Sequence, residues 1–136
     1  MNLGNSNIIS GNYPEALKNF TSAQTILENE TQTDFENNLK IKKGLAKAYG
    51  SIGIVFSEQS NYSKALQFHL KAVKIYELIK DDKKCAQVYN NIGVEYKSQN
   101  NDFKALEYFF KAQNIQKKLN DPTIGITLTN IANCYL

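Results

Sequence analysis

The sequence predicts an all-α fold: a solenoid of stacked antiparallel helical hairpins, with about seven helices. The main observation is that a shift of 40 residues aligns residues 49–81 with residues 89–121 and places Gly53 on Gly93 and Ala65 on Ala105. A second is that apolar residues in each copy recur at helical spacing. A sequence unit that recurs at a fixed period indicates a repeat array. Such arrays mostly present extended surfaces to binding partners.

Shorter matches flank the central pair of copies. Residues 3–26 match the second copy at a shift of 49, and the last residues match the third copy at a shift of 39. Both ends of the sequence are expected to be cuts through a longer array, leaving truncated terminal repeats. The predicted single array comprises 1–30 as a partial first repeat, 31–81 as a second repeat with an extended first helix, 82–121 as a third repeat and 122–136 as the first helix of a fourth.

A short polar turn separates the two helices of each copy. Residues 59–61 and 99–101 supply Gln, Ser and Asn, residue types that accept left-handed backbone conformations and cap helix starts. The third copy departs from the others after this turn, because it has Asp102 where the second has Tyr62, and the aromatic Phe103 follows one residue late. We therefore expect a local adjustment at the start of that helix.

Glycines recur at one position in the first helix of the copies. A glycine inside a helix costs about 1 kcal/mol relative to alanine. Its recurrence at Gly4, Gly53 and Gly93 predicts that the second helix approaches closely at this position.

The charge composition argues against nucleic-acid binding. The net charge is +3, and all sixteen basic residues are lysines. Arginine is the usual residue for bidentate recognition of phosphates and bases, and lysines such as Lys83 and Lys84 lie among acidic residues rather than in a single stripe. No nucleic-acid partner is expected.

No residue set points to catalysis, a metal or a cofactor. Cys85 and Cys134 lie 49 residues apart without metal-ligand spacing, and His69 is the single histidine. His69 takes the position of Phe109 between two helices, which predicts a structural histidine. The sequence therefore predicts a protein that is not an enzyme, has no catalytic or metal-binding residues and needs no cofactor.

Apolar runs are too short to span a bilayer, and no signal peptide is evident. We expect no membrane partner and a cytoplasmic location, with any targeting segment lying outside this piece of sequence.

The recurring pattern of an aromatic, a small residue, a second aromatic and a later Ala-Leu resembles the tetratricopeptide repeat. In the second copy these residues are Tyr49, Gly53, Phe56, Ala65 and Leu66. The period near 40 is similar to that of the repeats of kinesin light chains and bacterial signalling regulators. This resemblance implies a right-handed solenoid whose first helices line a concave groove that holds a protein or peptide ligand.

The same resemblance assigns a set of ligand-binding residues to the concave face. They are Asn2, Lys47, Ser51, Ile54, Gln87, Asn90, Asn91, Val94, Lys97, Asn130 and Asn133. Family members often use an asparagine here to pair with the backbone of a bound peptide, since an amide both donates and accepts hydrogen bonds. An alternative is that the many asparagines reflect an AT-rich gene.

Two functions follow from this assignment. One is a non-catalytic protein-binding scaffold, a segment of a larger signalling or assembly protein. The alternative is a regulatory input domain that senses a peptide or partner and controls an attached output domain. Self-association through exposed terminal helices is also expected, because apolar surface would be left uncovered at both ends, by Ile8 and Ile9 and by Ile131, Tyr135 and Leu136.

Overall fold

The computed structural model describes residues 35–136, together with Lys18, Thr21 and Ser22. The regular elements of residues 35–136 are all helices: α1 (Phe35–Glu58), α2 (Tyr62–Leu78), α3 (Asp82–Ser98), α4 (Asp102–Leu119) and α5 (Ile124–Cys134). The all-α prediction is confirmed for this part of the chain. The structure gives five helices over residues 35–136, and before residue 35 it describes only Lys18, Thr21 and Ser22, so the predicted number of seven helices is not supported. None of the five has the length and apolarity needed to cross a membrane.

The helices pack as hairpins that stack on one another. α1 packs on α2 and α3 packs on α4, while α2 also packs on α3 and α4 on α5. The apolar residues that recur in the sequence meet inside these hairpins: Ile52, Ile92, Ala72 and Ala112 are all fully buried. One continuous core results, because the buried residues of neighbouring hairpins belong to the same cluster. The stack accounts for the 40-residue period, since each hairpin buries the same positions.

The turns between helices use the predicted capping chemistry. The Asn61 and Asn101 side chains accept hydrogen bonds from the backbone N–H three residues later, at 3.3 and 3.2 Å. Immediately before them, Ser60 and Asn100 adopt left-handed backbone conformations, with φ of 59° and 62°. These residues end one helix and begin the next within three positions, so the prediction for the turns is confirmed.

The adjustment expected at the start of the third copy's second helix is absent. α4 begins at Asp102, 40 residues after α2 begins at Tyr62, so the two starts are equivalent. The Asn101 cap fixes the start regardless of the residue that follows it. Phe103 does not replace the missing tyrosine, because its side chain lies exposed. This prediction was therefore wrong.

Gly53 and Gly93 each face an aromatic ring of the opposite helix, and that ring occupies the space that a side chain at the glycine would need. A Cβ added at Gly93 would lie 2.4 Å from Cε1 of Phe109, and one at Gly53 would lie 2.8 Å from Cε1 of His69. Such distances are well inside van der Waals contact, so any larger residue would displace the ring. The predicted close approach at these positions is confirmed.

Candidate functional site

The structure describes ten of the eleven predicted ligand-binding residues, and these ten belong to α1, α3 and α5. This candidate binding stripe comprises Lys47, Ser51 and Ile54 on α1, Gln87, Asn90, Asn91, Val94 and Lys97 on α3, and Asn130 and Asn133 on α5. Asn2 lies outside the described residues. Apart from the adjacent Asn90 and Asn91, neighbouring members are three or four residues apart along each helix, which is the spacing of a common helix face.

The three helices of the stripe are neighbours, linked by hydrogen bonds between their side chains. Ser57 of α1 donates to Glu95 of α3 at 2.9 Å, and Asn90 of α3 donates to Thr127 of α5 at 2.7 Å. The stripe therefore extends across successive hairpins instead of being confined to one.

Exposed aliphatic side chains occur at a repeated position within the stripe. Ile54 is 47% exposed and Val94, 40 residues later, is 40% exposed. Lys47 and Gln87, which precede them by two helical turns, are also exposed at matching positions. The surface formed by these residues therefore combines exposed apolar side chains with hydrogen-bonding groups.

Asn90 uses part of its hydrogen-bonding capacity within the protein. Its amide nitrogen donates to Thr127, whose hydroxyl in turn donates to Gln116 at 2.6 Å. Its side-chain oxygen is buried without a hydrogen-bond partner. Asn90 therefore fixes the contact between α3 and α5 as well as lying on the stripe. Asn91 and Asn130 are partly exposed, and Asn133 is exposed.

Lys97 at the end of the stripe forms an ion pair with Asp102. Its ammonium nitrogen lies 3.1 Å from Oδ1 of Asp102, and both side chains are more than one-third exposed. Exposed pairs of this kind contribute about 0–1 kcal/mol, so this pair adds little to the stability of the fold.

A buried polar cluster lies between the second and third repeats, behind the stripe. His69 of α2 is 1% exposed, which confirms the predicted structural histidine. Its Nε2 lies 3.4 Å from Oε2 of Glu95, and the other Glu95 oxygen accepts the Ser57 hydrogen bond. Glu95 is 2% exposed. Its burial was not predicted, because a glutamate within an amphipathic helix usually lies on the solvated face.

A groove between α2 and α4 was not predicted either. It encloses about 400 Å³ and has Tyr89 of α3 and Tyr108 of α4 among its walls. Lys71 and Lys74 of α2 and Lys111 of α4 line it as well. The sequence signal available was the recurrence of Lys71 as Lys111, 40 residues apart, together with Tyr49 as Tyr89.

The described residues include one histidine and two free cysteines. They contain no group of three His, Cys, Asp or Glu side chains placed to hold a metal ion. Burial and the nearby charges of Glu77 and Asp82 raise the pKa of the Cys85 thiol to about 11, which keeps it protonated at neutral pH.

Comparison with known proteins agrees with this geometry. A model of the tetratricopeptide repeat matches residues 44–118, more than half of the chain. The chain belongs to the tetratricopeptide repeat family. Tetratricopeptide repeats generally mediate protein–protein interaction, and their fold is typically a non-catalytic interaction scaffold.

A solved structure is similar to this tetratricopeptide repeat array. The crystal structure of BtubC (BKLC) from P. vanneervenii superposes with a TM-score of 0.78 at 17% sequence identity, over 98% of this chain and 52% of that chain. The chain thus spans about half the length of that structure. The likeness at this identity is one of fold. No curated protein matches the sequence.

Proposed function

We propose that the chain is a non-catalytic scaffold that binds a protein or peptide ligand on the candidate binding stripe, within a larger signalling or assembly protein in the cytoplasm. The observation that carries the proposal is the pair of exposed aliphatic residues, Ile54 and Val94, at equivalent positions of adjacent repeats. Exposed apolar groups at one repeated position suit a ligand that extends along the array.

The polar members of the stripe support a ligand held through its backbone. Asn91 lies three residues before Val94 on α3, and Asn130 is its equivalent on α5. An amide side chain can pair with the N–H and C=O of a peptide without reading its sequence. The aliphatic positions would then supply selectivity for the ligand's side chains.

Selection from a random peptide library displayed on phage tests this proposal and does not require an identified partner. Selected peptides are then measured by fluorescence anisotropy against wild type, against Ile54→Ser with Val94→Ser, and against Asn91→Ala with Asn130→Ala. Because the stripe supplies the contact area, we expect both double variants to weaken binding about tenfold or more.

A matched control distinguishes the stripe from apolar surface in general. Phe103 and Leu119 of α4 are also exposed, so Phe103→Ser with Leu119→Ser removes at least as much apolar area elsewhere. This variant should leave the affinity unchanged. Peptides that bind the stripe variants as tightly as wild type would refute the proposed site.

A further inference from the structure

The groove between α2 and α4 is a basic surface distinct from the candidate binding stripe. The stripe lies on α1, α3 and α5, whereas the groove is lined mainly by the second helices of two repeats. Three lysines face it, Lys71, Lys74 and Lys111, and all three are exposed. One carboxylate, Glu77, is also present.

The carboxylate of Glu77 is already engaged within the protein. It accepts a hydrogen bond from the hydroxyl of Tyr89, which joins α2 to α3 across the boundary between repeats. Burial and this hydrogen bond both raise the pKa of Tyr89, so the phenol remains a neutral donor. Because the Glu77 carboxylate already accepts this hydrogen bond from Tyr89, it is less able to pair with the three lysines.

Aromatic rings hold two of the lysines in place. The Lys111 ammonium lies 4.9 Å from the ring centroid of Tyr108 and 5.6 Å from that of Tyr89. Lys71 occupies the equivalent position one repeat earlier, 5.6 Å from Tyr49 and 5.3 Å from Phe68. A ring face attracts the charge but accepts no more than part of the three N–H donors of the ammonium, so the outward donors stay available to an anion.

The groove also offers apolar surface beneath the charges. Val73 is buried in its wall, Leu70 is partly buried, and the rings of Tyr89 and Tyr108 complete the lining. A lone phosphate would leave this surface uncovered, whereas a peptide that combines carboxylates with aliphatic side chains would use both parts. The absence of arginine from the chain and the apolar floor both favour a peptide over a nucleic acid.

We infer that the α2–α4 groove binds an acidic peptide segment of a partner protein, whose carboxylates pair with Lys71, Lys74 and Lys111 while its aliphatic side chains contact the tyrosine rings. This surface is independent of the candidate binding stripe, so one repeat array holds two partner segments on different sides. Charge complementarity fixes the class of occupant.

Fluorescence anisotropy with a labelled nine-residue peptide of three Glu-Glu-Leu units, blocked at both ends, tests the inference. The groove variant carries Lys71→Gln, Lys74→Gln and Lys111→Gln, substitutions that keep most of each side chain. The control variant carries Lys64→Gln, Lys84→Gln and Lys118→Gln, three exposed lysines outside the groove, and has the same net charge. At an ionic strength of about 50 mM, the groove variant should bind about tenfold more weakly than wild type, and the control within about twofold of it.

Thermal unfolding followed by circular dichroism separates binding from structure. Since the three groove lysines are exposed, both variants should unfold close to the wild-type temperature. Unsaturable binding of the peptide to wild type would overturn the inference, as would equal weakening by both variants, which would indicate attraction to net charge alone.

Two further measurements distinguish a peptide ligand from a nucleic acid and binding in the groove from binding on the stripe. A DNA duplex that competes for the same lysines as tightly as the acidic peptide would overturn the assignment to a peptide. The stripe variant Ile54→Ser with Val94→Ser should bind the acidic peptide as wild type does. Loss of the acidic peptide in that variant, with retention in the groove variant, would refute the groove while leaving the stripe intact.

Discussion

His69 of α2 and Glu95 of α3 form a buried polar pair, with Nε2 and Oε2 3.4 Å apart, at the junction of two repeats. The positions equivalent to these in other copies carry Phe109 and Val55, which are buried apolar residues. Each member of the pair therefore stands where another copy of the repeat has a buried apolar residue.

Replacing one member of this pair should destabilise the fold, whereas replacing both should not. His69→Phe leaves Oε2 of the buried Glu95 without the imidazole while Oε1 keeps the Ser57 hydroxyl, and Glu95→Val leaves the imidazole without its partner. An orphaned buried polar group costs about 1–3 kcal/mol. The double variant supplies the residues found at the equivalent positions, and apolar replacement of a whole buried pair is often neutral or stabilising.

Urea unfolding of wild type, both single variants and the double variant measures this coupling. We expect the double variant to have a free energy of unfolding at or above that of wild type. If the two single losses simply add in the double variant, the pair is not a coupled unit.

The glycine opposite Phe109 is predicted to be essential for hairpin packing. Gly93→Ala would place a Cβ 2.4 Å from the Phe109 ring, and the overpacking should lower the free energy of unfolding by about 1–3 kcal/mol. Gly50→Ala is the matched control, since a Cβ there meets nothing within 4 Å. Helix propensity alone should make this control up to about 1 kcal/mol more stable than wild type. Equal effects at both glycines would contradict a role for close packing at Gly93.

Docking of α5 is predicted to depend on Thr127. The buried hydroxyl of Thr127 accepts a hydrogen bond from the Asn90 amide and donates one to the side-chain oxygen of Gln116. Thr127→Val removes both hydrogen bonds and leaves these two groups without that partner. Hydrogen exchange should become faster in α5 while α1 and α2 keep their protection. Thr129→Val is the control, because Thr129 is exposed and bonds only to the carbonyl of Gly125 in its own helix. Unchanged exchange in Thr127→Val would show that this network does not hold α5 in place.

The two thiols are predicted to react at different rates. The pKa of Cys85 is raised to about 11 by burial and by the charges of Glu77 and Asp82, and burial raises the pKa of Cys134 as well. Cys85 is buried whereas Cys134 is partly exposed. At pH 8, iodoacetamide should therefore modify Cys134 first, and mass spectrometry of digested samples measures both rates. In urea, where the chain is unfolded, the two cysteines should react at similar rates, which provides the control. If Cys85 reacted faster than Cys134 in the folded protein, the buried environment of Cys85 would be contradicted.

Stability should fall at alkaline pH for the same reason. The folded thiol of Cys85 retains its proton up to about pH 11, while an unfolded thiol loses it near 9.0. The folded state binds more protons in that interval, so this contribution is complete below pH 9 and is lost as the pH rises toward 11. Cys85→Ala should show a smaller decline than wild type in urea unfolding across this range. An identical decline would show that Cys85 does not contribute.

The fold was predictable from the sequence because its determinants are local and repeated. The helical spacing of apolar residues and the caps at Asn61 and Asn101 act within a few positions of the chain. The glycine opposite an aromatic ring also recurs in every described hairpin. The start of α4 differs from the expectation because the Asn101 side chain caps the helix whether a tyrosine or Asp102 follows it.

The polar cluster and the groove required the stacking of hairpins to be known. Glu95 contacts His69 of α2 and Ser57 of α1, and these contacts form only when the hairpins stack. Likewise, Glu77 and Tyr89 meet across a repeat boundary. The hydrogen bond from Asn90 to Thr127 could not be inferred either, because it joins helices of consecutive repeats. The candidate binding stripe itself remains a prediction.

Mapping a bound peptide by solution NMR tests the scaffold role most directly. Isotopically labelled protein is titrated with a non-acidic peptide selected from the library, and backbone amide shifts are followed. The proposal predicts that the largest changes occur around Ile54 and Asn91–Val94, on α1 and α3, with small changes on the exposed faces of α2 and α4. Changes concentrated on α2 and α4, with the stripe unaffected, would contradict it.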